Sequence, residues 1–79
     1  MARPLYEIMA DIRADYASHG KDVHPWAKPY VDALSNLSSM DDVYIAETGH
    51  DMVPYLLSNL QSWRGPQARA IKAELRAML

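Results

Sequence analysis

Residues 51–79 read DMVPYLLSNLQSWRGPQARAIKAELRAML and decide the fold, because they contain two amphipathic segments separated by a Gly-Pro break. In the first segment the apolar residues fall within an arc of roughly 140° when successive positions are placed about 100° apart, which is wider than an ordinary surface stripe. A helix with so wide an apolar surface needs neighbours on two sides. The pattern therefore predicts a central helix over 51–63, capped by Asp51 and with Pro54 in its first turn.

The second segment predicts another helix, over 66–79. Gly65 suits the left-handed conformation that closes a helix, and Pro66 suits the first position of the next one. Apolar residues then recur every third or fourth position, which predicts a narrow seam facing the preceding helix and hence a C-terminal αα-hairpin. The residues expected at the middle of the core are Leu56, Leu60, Ile71 and Leu75.

Two further helices are predicted in the first half of the chain. A helix over 4–17 begins near Pro4 and carries an acidic stripe, formed by Glu7, Asp11 and Asp15. Residues 18–28 have turn composition and are predicted to form a loop. A short helix over 29–37 follows, with Trp26 expected to pack beside its start.

A helix is also predicted over 40–47, because Ser39 and Asp42 resemble a capping box. The run Val43-Tyr44-Ile45 would equally suit a strand, but the chain shows no obvious partner strand. The predicted fold is thus all-α, a compact bundle of four to five short helices, in a single domain over residues 1–79.

Composition restricts the possible functions. The chain has no cysteine, which excludes disulfides and thiolate metal sites. No segment approaches the ~20 apolar residues of a membrane span, and the N-terminus lacks the apolar core of a signal peptide, so a cytoplasmic protein without membrane association is expected. The net charge of −2 creates no general attraction for nucleic acid.

No catalytic, metal or cofactor constellation is apparent in the sequence. His19, His24 and His50 do not share a helical face with other ligands in a metal-binding pattern. Ser58 and Ser62 are predicted in mid-helix without flanking glycines, and the three glycines are too far apart for a phosphate loop. We therefore expect no enzymatic activity, no metal and no cofactor.

The last helix carries the candidate partner-binding surface. Its basic flank consists of Arg69, Lys72 and Arg76, with Arg64 just before the helix, and its alanine face consists of Ala70, Ala73 and Ala77. The basic flank could contact phosphates, remain solvated, or pair with the acidic stripe if the first and last helices lie side by side. We expect that pairing. The alanine face has two possible explanations. Alanine is the best helix former at exposed positions, or the small side chains admit a second helix, from a partner or another copy.

Five short segments carry a resemblance to known sequences: Pro29-Tyr30-Val31-Asp32-Ala33-Leu34, Leu57-Ser58-Asn59, Trp63-Arg64-Gly65, Ala68-Arg69 and Ile71-Lys72-Ala73-Glu74-Leu75. Over roughly residues 29–79 the chain resembles small hypothetical proteins of tailed bacteriophages and prophages. The resemblance implies a bacterial host cytoplasm and a phage-related role, and no site residues carry over from that family.

The predicted function is therefore a non-enzymatic interaction module that modulates a host or phage protein. The alternative is weak, sequence-tolerant nucleic-acid binding by the basic flank of the last helix.

Overall fold

The computed structural model describes residues 3–79, which are mostly helical with one small sheet. The elements in chain order are the helices α1 (Leu5–Ser18) and α2 (Lys28–Leu34), the strands β1 (Val43–Tyr44) and β2 (Glu47–Thr48), and the helices α3 (Gly49–Ser58) and α4 (Pro66–Met78). Four helices are thus present in this part of the chain, and the prediction of a strictly all-α fold is wrong because of the sheet. No helix among residues 3–79 is long and apolar enough to span a membrane.

Helix α1 confirms the helix predicted over 4–17 and packs against two other helices. Its apolar face is fully buried, and the helix contacts both α2 and α4. The first two backbone N–H groups of α1, those of Leu5 and Tyr6, donate to the carbonyls of Ser38 and Leu37 at 2.9 Å. These bonds satisfy donors that a helix start leaves free, so α1 begins without a side-chain cap.

Helix α2 ends at Leu34, three residues before the predicted end. Two polar side chains close it: Ser35 Oγ donates to the carbonyl of Val31, and Asn36 Nδ2 donates to that of Asp32. Such local bonds compete with the helical ladder and favour its end. The backbone then tightens into a turn, which leaves Leu37 buried although it lies outside the helix.

The helix predicted over 40–47 is wrong, because β1 and β2 form an antiparallel hairpin there. Val43 pairs with Thr48 and Tyr44 with Glu47, so the missing partner strand is the next segment of the chain, across a two-residue turn. Asp42 does accept hydrogen bonds from the backbone N–H groups of Ser38 and Ser39, as a capping residue does. This local motif closes a turn and is not followed by a helix, and the β-branched residues that come next favour pairing.

Helix α3 begins earlier and ends earlier than the predicted helix 51–63. Thr48 is the N-cap, and Asp51 completes a capping box from the third helical position, so the prediction of Asp51 as the cap is wrong by three residues. Gly49 packs so closely that a Cβ on it would lie 2.8 Å from the Cα of Met40. The last helical residue is Ser58, yet Leu60 and Trp63 remain buried in the turns that follow.

Helix α4 confirms the helix predicted over 66–79, but its predicted neighbour is wrong. The apolar seam of α4 packs chiefly on α1, whereas α3 packs on α2 and β2. The predicted αα-hairpin packing between the last two helices is therefore not formed, and α3 is not the central helix. Gly65 has a φ of 114°, which sets the direction of the chain at the corner before α4. The four predicted core residues, Leu56, Leu60, Ile71 and Leu75, are all buried.

Candidate functional site

The predicted surface on the last helix is largely exposed. We call it the α4 face; it comprises Arg64, Arg69, Ala70, Lys72, Ala73, Arg76 and Ala77. All of these residues are exposed except Lys72, which is half-buried. Lys72 Nζ donates to the carbonyl oxygen of Trp63 at 2.6 Å and lies 5.9 Å from the centre of its ring. Lys72 therefore has a structural role at the corner before α4 as well as a surface position.

The predicted pairing between the acidic stripe and the basic flank is wrong, although α1 and α4 do lie side by side. Arg3 takes the place of the basic flank: its guanidinium binds Asp11, reaches Glu7 at 3.5 Å, and forms two hydrogen bonds of 2.8 and 2.9 Å with Glu74 on α4. This hydrogen bonding lowers the pKa of Glu74. Asp15, the third acid, instead accepts the indole N–H of Trp63 at 2.8 Å.

The three histidines lie apart in separate small contacts. His19 Nε2 is 3.9 Å from Asp15 Oδ1, and His50 Nε2 is 3.5 Å from Asp41 Oδ1. His24 Nδ1 accepts the backbone N–H of Trp26. Within residues 3–79 no group of three or more His, Cys, Asp or Glu side chains is placed to hold a metal ion.

An apolar groove beside the hairpin is a surface feature that the sequence did not predict. We call it the hairpin groove; it is lined by Pro29, Tyr30, Ala33, Tyr44, Ile45, Ala46, Glu47 and Met52 and has a volume of about 360 Å³. The surface extends onto α3, because the ring of Tyr30 stacks on that of exposed Tyr55 with a centroid separation of 6.0 Å. The groove was missed because residues 40–47 were predicted as a helix, which would distribute these side chains around a cylinder.

Ile45 is the least expected residue of the groove. It occupies the first position of the hairpin turn with a φ of 60°, and its side chain is 88% exposed. A β-branched residue in left-handed backbone is a genuine outlier, and hairpin turns with a positive φ are usually made by Gly, Asn or Asp. Neither solubility nor turn geometry accounts for isoleucine here, so its apolar side chain at the rim of the groove is the feature that calls for a function.

The segment of the chain that forms the hairpin groove is acidic. Residues 29–63 contain five carboxylates and no lysine or arginine; the acids are Asp32, Asp41, Asp42, Glu47 and Asp51. Glu47 lines the groove itself. Backbone hydrogen bonds lower the pKa of Asp42 and of Asp51, so both stay ionised near neutral pH. Asp32 is the one among them that binds an arginine, Arg13, at 2.6 Å.

The two tryptophans have opposite environments. Trp63 is buried, stacked on Tyr16 at 5.6 Å and bonded to Asp15. Trp26 is 74% exposed and makes an edge contact with His24, so its predicted packing beside the start of α2 is not a buried one.

Comparison of the chain with protein-family models, with curated proteins and with solved structures gives no match in any of the three. The resemblance to phage proteins therefore stays a prediction.

Proposed function

We propose that this protein is a non-enzymatic helical interaction module that binds a partner protein through the hairpin groove. The observation that carries the proposal is Ile45, an exposed β-branched side chain held in left-handed backbone at the rim of an apolar groove. Strained backbone that persists in a small domain is found at ligand-contacting positions more than elsewhere. A groove of apolar and aromatic side chains with few polar groups suits an apolar anchor from a partner.

The charge of this surface specifies the partner further. Five carboxylates without a lysine or arginine over residues 29–63 favour a partner segment in which an apolar anchor is flanked by lysine or arginine. A second copy docked by the same face would place two such acidic surfaces against each other, so like-charge repulsion disfavours a symmetric dimer here. The partner is therefore a different protein with a basic, apolar-anchored segment.

Following the resemblance to phage and prophage proteins, the setting we propose is a bacterial host cytoplasm, where the protein modulates a host or phage protein. The α4 face is a second candidate surface, because its alanines are exposed and small enough to admit a helix from a partner or from another copy. The two surfaces share no residue and can be tested separately.

Replacing Ile45 by asparagine should stabilise the fold while removing the proposed anchor contact. Asparagine tolerates left-handed backbone, whereas isoleucine in that region costs ~1–2 kcal/mol. Because the Ile45 side chain is mostly exposed, few native contacts are lost. We expect Ile45→Asn to raise the free energy of unfolding by about 1 kcal/mol, measured by urea unfolding followed by circular dichroism. A loss of stability instead would mean that the side chain serves the fold.

The binding proposal is tested by affinity capture from bacterial lysate with wild type and four variants. Wild type and Tyr6→Ser, which removes a half-exposed aromatic from α1, should retain the same specific partner, while Ile45→Asn should lose it. Glu47→Lys should weaken capture through its charge at the groove. Retention of every partner by Ile45→Asn rejects the hairpin groove, and if Arg69→Glu with Arg76→Glu abolishes capture instead, the α4 face is the docking surface.

Weak nucleic-acid binding is the alternative function, and one observation favours it. Among the ion pairs formed within residues 3–79, none engages Arg64, Arg69 or Arg76. Binding through phosphates would be salt-dependent and indifferent to sequence. An electrophoretic shift at low salt that Arg69→Gln weakens would favour this function over protein docking.

A further inference from the structure

A second concave site lies beside the Trp63 corner and differs in chemistry from the hairpin groove. We call it the cation cleft; it is lined by Tyr16, His19, Lys21, Ser62, Trp63 and Arg64 and has a volume of about 500 Å³. Two of these six residues, Lys21 and Arg64, are cationic near neutral pH. The cleft shares no lining residue with the hairpin groove.

The cationic side chains at the cleft are not held in ion pairs with other described residues. No salt bridge within the described residues 3–79 engages Lys21, Arg64 or Lys72. The nearby acid Asp15 is bonded to the Trp63 indole at 2.8 Å and lies 3.9 Å from His19. Asp15 keeps its negative charge in both contacts, but it does not line the cleft, whose own lining contains, among the described residues, the cations Lys21 and Arg64 and no carboxylate.

The environment of Lys72 also indicates a concentration of positive charge beside the cleft. Its ammonium is held at the Trp63 carbonyl, directly beside the cleft-lining ring. Burial lowers the pKa of Lys72, and the charges of Arg76 and Arg64 lower it further. The mutual repulsion of these cations favours the entry of an anion.

Two uncompensated groups add to this preference. Helix α4 starts immediately after Trp63-Arg64-Gly65, with no side-chain cap and no acidic residue in its first turn, so the positive end of its dipole is unopposed. The buried phenolic oxygen of Tyr16 lies near the backbone of His24 but makes no hydrogen bond of acceptable geometry within residues 3–79. The free N–H groups at the start of α4 are donors that an oxygen-rich ligand can use.

We propose that the cation cleft binds a small phosphate-bearing anion through Lys21 and Arg64. A small ligand is favoured over a nucleic-acid strand because both cations line one concavity, while residues 29–63 offer no lysine or arginine to follow a phosphate backbone. The arginine supplies paired N–H donors suited to phosphate oxygens, and the lysine supplies a point charge. This site is independent of the protein docking proposed for the hairpin groove.

The test is calorimetric titration of the full chain with sodium pyrophosphate at low ionic strength. Arg64→Gln and Lys21→Gln should each weaken binding about tenfold, as expected for the loss of one charge-assisted hydrogen bond. Arg69→Gln is the matched control, because it removes an exposed cation of α4 that does not line the cleft. All three positions are exposed, and circular dichroism verifies that each variant is folded.

A mononucleotide and a single-stranded oligonucleotide distinguish the source of the phosphate. The proposal expects the mononucleotide to bind with the same dependence on Arg64 and Lys21. It is overturned if pyrophosphate does not bind wild type, or if Arg69→Gln weakens binding as much as Arg64→Gln does. Binding of the oligonucleotide alone would likewise overturn it in favour of an extended basic surface.

Discussion

Leu60→Ala is expected to lower the free energy of unfolding by ~2–5 kcal/mol, the usual cost of truncating a fully buried leucine. Leu60 has no exposed surface, and it lies in the turn after α3, where its side chain still belongs to the core. A domain of this size has roughly 4–12 kcal/mol of stability in total, at about 0.05–0.15 kcal/mol per residue. The substitution should therefore remove a large part of the stability and can leave the chain unfolded.

The matched control for this substitution is Leu57→Ala, three residues earlier and only partly buried against the same core. It removes the same atoms with less burial, so it should cost clearly less than Leu60→Ala. Thermal unfolding followed by circular dichroism separates the two. A loss of 2 kcal/mol corresponds to a fall in melting temperature of at least about 8 °C, so a shift of only a degree or two for Leu60→Ala would mean that the side chain is not buried.

The helices that the sequence predicted well are those with long apolar periodicity. Helices α1 and α4 lie within a residue or two of the predicted ranges, because their apolar faces repeat over three or more turns. The pattern also identified the burial of Leu60 correctly, although Leu60 lies beyond the end of α3. Burial could be predicted there because it follows from apolar character, whereas the end of a helix depends on a few local hydrogen bonds.

The hairpin could not be predicted because its turn contradicts the usual turn chemistry. A two-residue hairpin is normally signalled by Asn-Gly, Asp-Gly or Gly at its first position, and this chain has Ile45-Ala46 there. With no turn signal, the capping-box pattern of Ser39 and Asp42 favoured a helix. Because the hairpin was not predicted, the hairpin groove was not predicted either. Ile45, the residue that prevented prediction of the hairpin, is thus also the residue that marks the candidate site.

Helical periodicity also could not predict which cation pairs with the acidic stripe. The side-by-side packing of α1 and α4 could be anticipated, but the counter-ion of the acidic stripe is Arg3, which lies before the first helix. Helical periodicity assigns the residues of one helix to its faces, but it does not predict where the side chain of a residue outside the helix lies. The basic flank of α4 therefore does not pair with the acidic stripe. Arg64, just before that helix, is likewise unpaired within residues 3–79 and lines the cation cleft.

Trp63→Ala is expected to cost ~3–5 kcal/mol, because one buried side chain joins the corner before α4 to both α1 and α4. Its ring stacks on Tyr16 of α1 at 5.6 Å, its indole N–H binds Asp15, and Lys72 of α4 lies 5.9 Å above it. The other tryptophan supplies the control. Trp26 is 74% exposed, so Trp26→Ala should change stability by no more than about 0.5 kcal/mol.

Trp63→Phe separates the hydrogen bond from the packing. Phenylalanine keeps an aromatic ring for Tyr16 but has no N–H for Asp15, so this variant should lose ~1.5–3 kcal/mol, the contribution of a hydrogen bond to a charged group. Urea unfolding of Trp63→Phe, Trp63→Ala and Trp26→Ala measures all three losses. Equal losses for the two alanine variants would contradict the burial of Trp63. If Trp63→Phe matched wild type, the bond to Asp15 would contribute nothing to the stability of the corner that shapes the cation cleft.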